Sequence, residues 1–146
     1  MTSAILEPIA AKNAGDAREW AFCRACGVER TAHDSLAYDK ASDCEANGHG
    51  YSLKASAFTL MSGALCEGLQ TLDEIWALYA ERVHSDRFVY VTCDWVAYIM
   101  DINEFGEFVK TFAHCERESS KNGGAVKVRC RKESSKMVAW LMERVA

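Results

Sequence analysis

Four potential metal ligands fall in one short stretch that has little else to fold around. The sequence reads FCRACG, then seventeen residues from Gly27 to Asp43, then CEANGHG. The spacing is C-x2-C, x17, C-x4-H. Residues 20–52 are rich in Cys, Asp, Gly, Asn and His and poor in the large aliphatics that build cores. A segment of that length with so little to bury needs another source of stability, and a bound metal supplies one.

Two cysteines separated by two residues can place both sulfurs on one ion from a tight turn. Gly27 suits such a turn, because a residue without a Cβ tolerates the required backbone angles. The second pair sits among Asn47, Gly48 and Gly50, again turn residues. Cys23, Cys26, Cys44 and His49 thus form a Cys3His set for one structural Zn2+, with His33 as the alternative fourth ligand. Such a set leaves no open coordination position. It resembles the zinc ribbons and related two-knuckle zinc modules over residues 20–52. The resemblance implies an architectural ion, and the C-x4-H second pair departs from the C-x2-C usual in a ribbon.

The chain has seven cysteines, an odd number that rules out complete intrachain pairing. In a reducing compartment, clustered cysteines read as metal ligands before disulfides. Cys66, Cys93, Cys115 and Cys130 lie in apolar-patterned segments and read as small core residues. No stretch approaches the ~20 apolar residues that span a bilayer. Residues 1–11 have an acid, Glu7, and no basic leader, which argues against a secretory signal. The expectation is a cytoplasmic protein without membrane contact.

Residues 1–19 read as a lead-in or short helix. From Leu53 onward, Leu53, Ala57, Phe58, Met61 and Leu65 have approximate helical spacing, interrupted by Gly63. Thr71 and Glu74 match a capping box, followed by an apolar face of Leu72, Ile75, Trp76, Tyr79 and Val83. RFVYVTC (87–93) is a strand by its β-branched and aromatic content, and 95–100 extends it or adds another. Asp101 or Asn103 starts a helix with the stripe Phe105, Phe108, Val109 and Phe112. That helix runs out in the polar tract 116–124. Residues 125–132 alternate as a strand, and Ser134 or Ser135 caps a last helix with Met137, Val138, Leu141 and Val145 inward. The helix between the two strands reads as a right-handed crossover joining parallel neighbours. The expected fold is α+β: a lead-in (1–19), a zinc-stapled module (20–52), and a β(β)αβα unit (53–146).

Charge is uneven along the chain. Residues 1–86 carry 7 basic and 13 acidic side chains, a net of −6, while 87–146 carry 10 and 8, a net of +2. Lys127, Arg129 and Arg131 share one strand face, with Arg117, Lys121, Lys132 and Lys136 nearby. Such a row is a candidate surface for a partner or for phosphates; it also reads as a solvated face or a charge-protected edge strand. Phe88 and Tyr90 are the only aromatics placed to stack bases beside it.

Catalytic arrangements are scarce. His33-Asp34 lacks the further histidines of a metal-dependent phosphohydrolase. A cysteine nucleophile paired with His84 or His114 has no supporting local setting, and Asp94 and Asp101 lack a matching acid on the basic strand. No phosphate-cradling glycine loop is present. The sequence therefore points to a non-catalytic, zinc-stabilised binding or regulatory protein. Its partner is read as a protein, in the general character of an accessory or inhibitor protein of a mobile element. Nucleic-acid binding through strand 127–131 is the alternative, and a metal-dependent hydrolase or nuclease the third class.

Overall fold

A computed structural model describes residues 1–29, 42–61, 68–117 and 126–145. Within them, four helices and two sheets make an α+β fold. The five-stranded sheet runs in the order β1 (Thr2–Ile5), β6 (Val96–Met100), β5 (Arg87–Val91), β3 (His49–Ala55), β2 (Cys44–Ala46). Among the described residues only β3 and β5 pair in parallel. The chain between them is long enough for the crossover that a parallel pair requires, and it carries β4 (Phe58–Met61) and α2 (Leu72–Arg82). The second sheet is antiparallel, with β8 (Val126–Cys130) between β4 and β7 (Ala113–Arg117).

Strand β5 is the centre of the molecule. Its side chains alternate across the sheet, as a strand's must. Phe88 and Tyr90 enter the larger core, where they meet Ile75 of α2 and Phe105, Phe108 and Val109 of α3 (Ile102–Phe112). Met137 and Leu141 of α4 (Ser135–Arg144) and the inward residues Val128 and Cys130 of β8 close that core. Phe88 and Phe105 stack with centroids 4.6 Å apart, within the range in which aromatic pairs add to simple burial. Val89 and Val91 face the smaller core, with Leu53, Ala97 and the helix α1 (Ala14–Ala25) through Ala21, Phe22 and Cys23.

The helix starts follow their caps. Thr71 and Glu74 form the expected capping box on α2, Asp101 and Glu104 form one on α3, and the Ser134 side chain accepts from the Met137 amide. Among the described residues no helix is long and apolar enough to cross a membrane.

Several expectations need correction. The segment from Leu53, read as a helix, is strand: β3 continues to Ala55, and β4 follows after Ser56 turns the chain at φ 56°. Pairing with β5 satisfies the backbone there and overrides a weak helical spacing. Gly63 and Leu65 lie outside the described residues, as do Cys66 and His33. The lead-in holds β1 and the first turns of α1. The crossover reading of α3 fails, because α3 passes straight into β7 and β8 joins the second sheet antiparallel to it. Cys130 is buried and Cys115 half-buried, whereas Cys93 is exposed in the β5–β6 turn. There its thiol donates to Glu133 at 2.8 Å. The boundary drawn at 52/53 falls inside β3.

Gly106 of α3 lies against Trp76 of α2. A Cβ there would sit 2.9 Å from Trp76 Cζ2, and that ring is held between Tyr79 and Phe105. An exposed helical Gly→Ala change gains roughly 0.5–1 kcal/mol. Here overpacking of about 1–3 kcal/mol opposes it. Gly106→Ala is expected to lower stability in urea unfolding; a gain would show that Trp76 yields freely.

Burial pushes the Cys130 thiol from its ordinary 9.0 up to about 12. Between those values the unfolded chain ionises this thiol while the folded protein keeps it protonated. Its contribution is therefore intact below pH 9 and is lost as pH rises toward 12, at up to roughly 1.4 kcal/mol per pH unit. The stability gap between the parent and Cys130→Ala is expected to narrow from pH 9 to 11, measured by urea unfolding. A constant gap would mean the thiol already ionises freely in the fold.

Candidate metal centre

Helix α1 begins at Asn13, whose side chain accepts from the Asp16 amide at 2.9 Å. It ends at Cys26, its C-cap, and Gly27 turns the chain away at φ 73°. Cys23 and Cys26 are three residues apart and so share one side of the last turn. The spacing predicted a tight turn for this pair; the structure puts it on a helix end, with Gly27 serving as the helix stop. Val28 donates to the Cys23 carbonyl at 3.0 Å and secures that stop.

Cys44 opens β2, an edge strand in a hairpin with β3. Asn47 and Gly48, at φ 55° and 79°, form the two-residue turn, the backbone that an Asn-Gly hairpin favours. Cys44 lies opposite Tyr51 and Ala46 opposite His49. Cross-strand partners share a face, so all four belong to the side that α1 covers. Phe22 meets Tyr51 edge-on at 5.2 Å.

The three cysteine side chains come together. Cys44 lies close enough to Cys23 and Cys26 for each to influence its thiol. Cys23 is 2% exposed and Cys44 0%. Burial first, and then the neighbouring Cys23, pushes the Cys44 thiol up to about 12. Burial and then Cys44 raise Cys26 likewise. The tyrosine beside them, Tyr51, is raised by burial and then by Cys26. The C-terminal end of a helix is its negative end, so the dipole also opposes thiolate formation there. As thiols these groups are poor nucleophiles. A cation reverses that, since a coordinated thiol is deprotonated outright. As the side chains stand, no group of three or more His, Cys, Asp or Glu among the described residues is arranged to hold an ion.

His49 is placed diagonally from Cys44, a separation of roughly 7–8 Å between backbones in an antiparallel pair. Its Nδ1 contacts the Asp86 carboxylate at 2.6 Å. Asp86 also accepts from the Gly50 amide at 2.8 Å and pairs with Arg87 at 3.4 Å. The His49 bond is the main reason the Asp86 carboxyl sits below its usual range, helped by the Gly50 amide. Sequence reading missed both Asp86 and Tyr51. Asp86 follows α2 in a short link and carries no spacing signal, while Tyr51 was legible only as a residue two beyond His49.

The cationic strand is laid out as its alternation implied, but in a different setting. Strand β8 is central in its sheet and not an edge. Val128 and Cys130 face inward; Lys127 and Arg129 are half-exposed on the other side. Lys127 pairs with Glu116 of β7 at 3.5 Å, and Glu116 also meets His114 at 2.9 Å. That His114 bond, ahead of Lys127, holds the Glu116 carboxyl below its usual range. Arg129 lies opposite His114 and Thr59. Arg131 and Lys132 are exposed beyond the end of β8. Lys121 is outside the described residues, as is the side chain of Arg117, which ends β7. Phe88 and Tyr90 are fully buried, which removes them as a stacking platform.

No protein-family model matches the chain, and no curated protein or solved structure matches it either.

Proposed function

We propose that the chain is a non-catalytic binding protein in which Cys23, Cys26, Cys44 and His49 hold one structural zinc ion. The observation that supports the reading is the nearness of three cysteines, from a helix end and an edge strand, at the smaller core, where Cys23 and Cys44 are buried and Cys26 partly so. Four zinc bonds of about 2.3 Å in tetrahedral array put sulfurs roughly 3.8 Å apart. Conversion to a ligand set would need rearrangement of the side chains and loss of the thiol protons. The negative end of α1 favours the incoming cation.

A cysteine nucleophile served by His49 and Asp86 is the rival that uses the same residues. Such a nucleophile needs a lowered thiol pKa, and burial and helix position both act the other way here. Four protein ligands would leave no coordination site for water, so a hydrolytic role has no support at this centre. A protein partner is favoured over nucleic acid because Glu116 offsets Lys127 and the nearby aromatics lie inside.

Protein purified without chelator is expected to contain one zinc per chain by elemental analysis. Cys44→Ser is expected to lose it and Cys93→Ser to keep it, and a chelator should bring the parent's unfolding midpoint down to that of Cys44→Ser. Absence of stoichiometric metal, with unfolding indifferent to chelator, would overturn the reading.

For the partner class, replacing Lys127 and Arg129 with alanine is expected to leave any weak nucleic-acid binding and its salt dependence unchanged. A log–log salt slope flattened by about two, the loss of two phosphate contacts, would move the assignment to nucleic acid.

A further inference from the structure

We infer that Arg129, at the middle of the outer face of the second sheet, is the docking point for an acidic side chain of a protein partner. The inference rests on the protein-partner reading above and adds the residue and the chemistry that would recognise the partner. It does not depend on the ion.

Strand register assembles the place. Arg129 of β8 lies opposite Thr59 of β4 on one side and opposite His114 of β7 on the other. Directly opposed residues of an antiparallel pair project from one face, with Cβ atoms about 4.5–5.5 Å apart. A hydroxyl, a guanidinium and an imidazole therefore form one row across three strands. Val128 and Cys130 are buried on the inner face, which sends Arg129 outward by alternation. A register shift interrupts β4 just after Thr59, and Leu60 and Met61 are both buried. Thr59 thus ends the outer row on that strand.

Among the described residues Arg129 makes no ion pair. The nearest acid by register, Glu116, belongs to the next row, opposite Lys127. It is engaged there by His114 at 2.9 Å and by Lys127 at 3.5 Å. The half-exposed guanidinium presents a planar fork of donors that matches a carboxylate bidentately, and a threonine hydroxyl beside it can donate a further bond.

Charge sets the class of ligand. Arg131 and Lys132 are exposed beyond the end of β8, so the approach from that end is cationic and steers an acid inward. Glu116 stands at the other end. A nucleic-acid strand needs cations at several successive phosphates and would press its next phosphate against that carboxylate. A phosphate monoester would bring close to two negative charges into the same repulsion. One carboxylate needs one guanidinium, which this face offers unpaired.

The test titrates the full chain at low salt with hexaglutamate as the acidic probe, beside inorganic phosphate and a short single-stranded DNA. Hexaglutamate is expected to shift the Arg129 side-chain Nε–Hε signal in proton–nitrogen spectra. Arg129→Gln is expected to weaken its binding about tenfold, the loss of a charge-assisted pair. Arg131→Gln removes the same charge outside the row and is expected to weaken binding only slightly. Arg129→Gln should also keep the parent's unfolding midpoint, because the guanidinium has no ion pair to lose. A lowered midpoint would mark a structural arginine and overturn the inference, as would equal losses from Arg129→Gln and Arg131→Gln. If no probe binds, the inference falls and the protein-partner reading stands, since a partner can dock without an acid. DNA bound in preference to hexaglutamate, and released by Arg129→Gln, would overturn both.

Discussion

Burial of β5 on both faces sets the terms for everything packed around it. Four successive residues, Phe88 to Val91, are essentially without solvent contact. Because neighbours on a strand point opposite ways, full burial of such a run demands cover on both sides of the sheet. The larger side receives three helices and a second sheet, with a continuous set of aromatics from Tyr79 through Phe88 and Phe105 to Phe108. Among the described residues, the smaller side receives one helix, α1, with Leu6, Ile9 and Val28 beside it. Its buried residues are Ala17, Ala21, Phe22 and Cys23. Each alanine methyl gains roughly 0.8 kcal/mol, against about 1.5–3 for a buried leucine or phenylalanine. Helix α1 is thus lightly anchored by apolar area, and other ties matter more for it. One is the Arg18 bond to Ser56 at 2.9 Å; the proposed ion would be another, at the helix's far end.

How much of this was legible depends on where the information for each element resides. Helices α2, α3 and α4 announce themselves locally, through Thr71, Asp101 and Ser134 and the apolar stripes that follow. Strand β8 announced its faces by strict alternation. Strands β3 and β4 did not. Tyr51 and Leu53 face the smaller core, but Ser52 is buried as well, so the polar–apolar alternation that marks a half-exposed strand is blurred. Their strand state comes from partners more than thirty residues away, Arg87 to Val91 for β3 and Val128 to Cys130 for β4. Strand β7 was hidden for another reason. Ala113 to Arg117 follows α3 without a break residue, and a helix running out into polar sequence looks the same on paper.

The candidate site divides along the same line. The grouping of the three cysteines was suggested by the local C-x2-C pattern, whereas the burial of Ala21, Phe22, Ala46 and Tyr51 around them was not. Their placement was not legible. A pair three apart fits the last turn of a helix as well as it fits a knuckle, and Gly27 ends a helix by the same left-handed backbone that would have served the knuckle. The contact of Asp86 with His49 was beyond reach from sequence, because the parallel register of β3 and β5 brings the two together.

That register joins the candidate site to the core in one step. Asp86 immediately precedes β5, and Tyr51 pairs with Arg87 at its first position. A displacement of β3 by one residue along β5 would turn His49, Tyr51 and Leu53 to the wrong face together and would part Asp86 from Gly50. The side-chain geometry at His49 is therefore as well fixed as the central strand pair. The thiols are fixed less well, since β2 has only three residues and, among the described residues, pairs with His49 to Tyr51 alone. An ion bridging the two groups would connect the most firmly held part of the smaller core to its least firmly held parts. In that position coordinate bonds would stabilise most, because they would constrain elements that hydrogen bonds and alanine methyls leave under-determined.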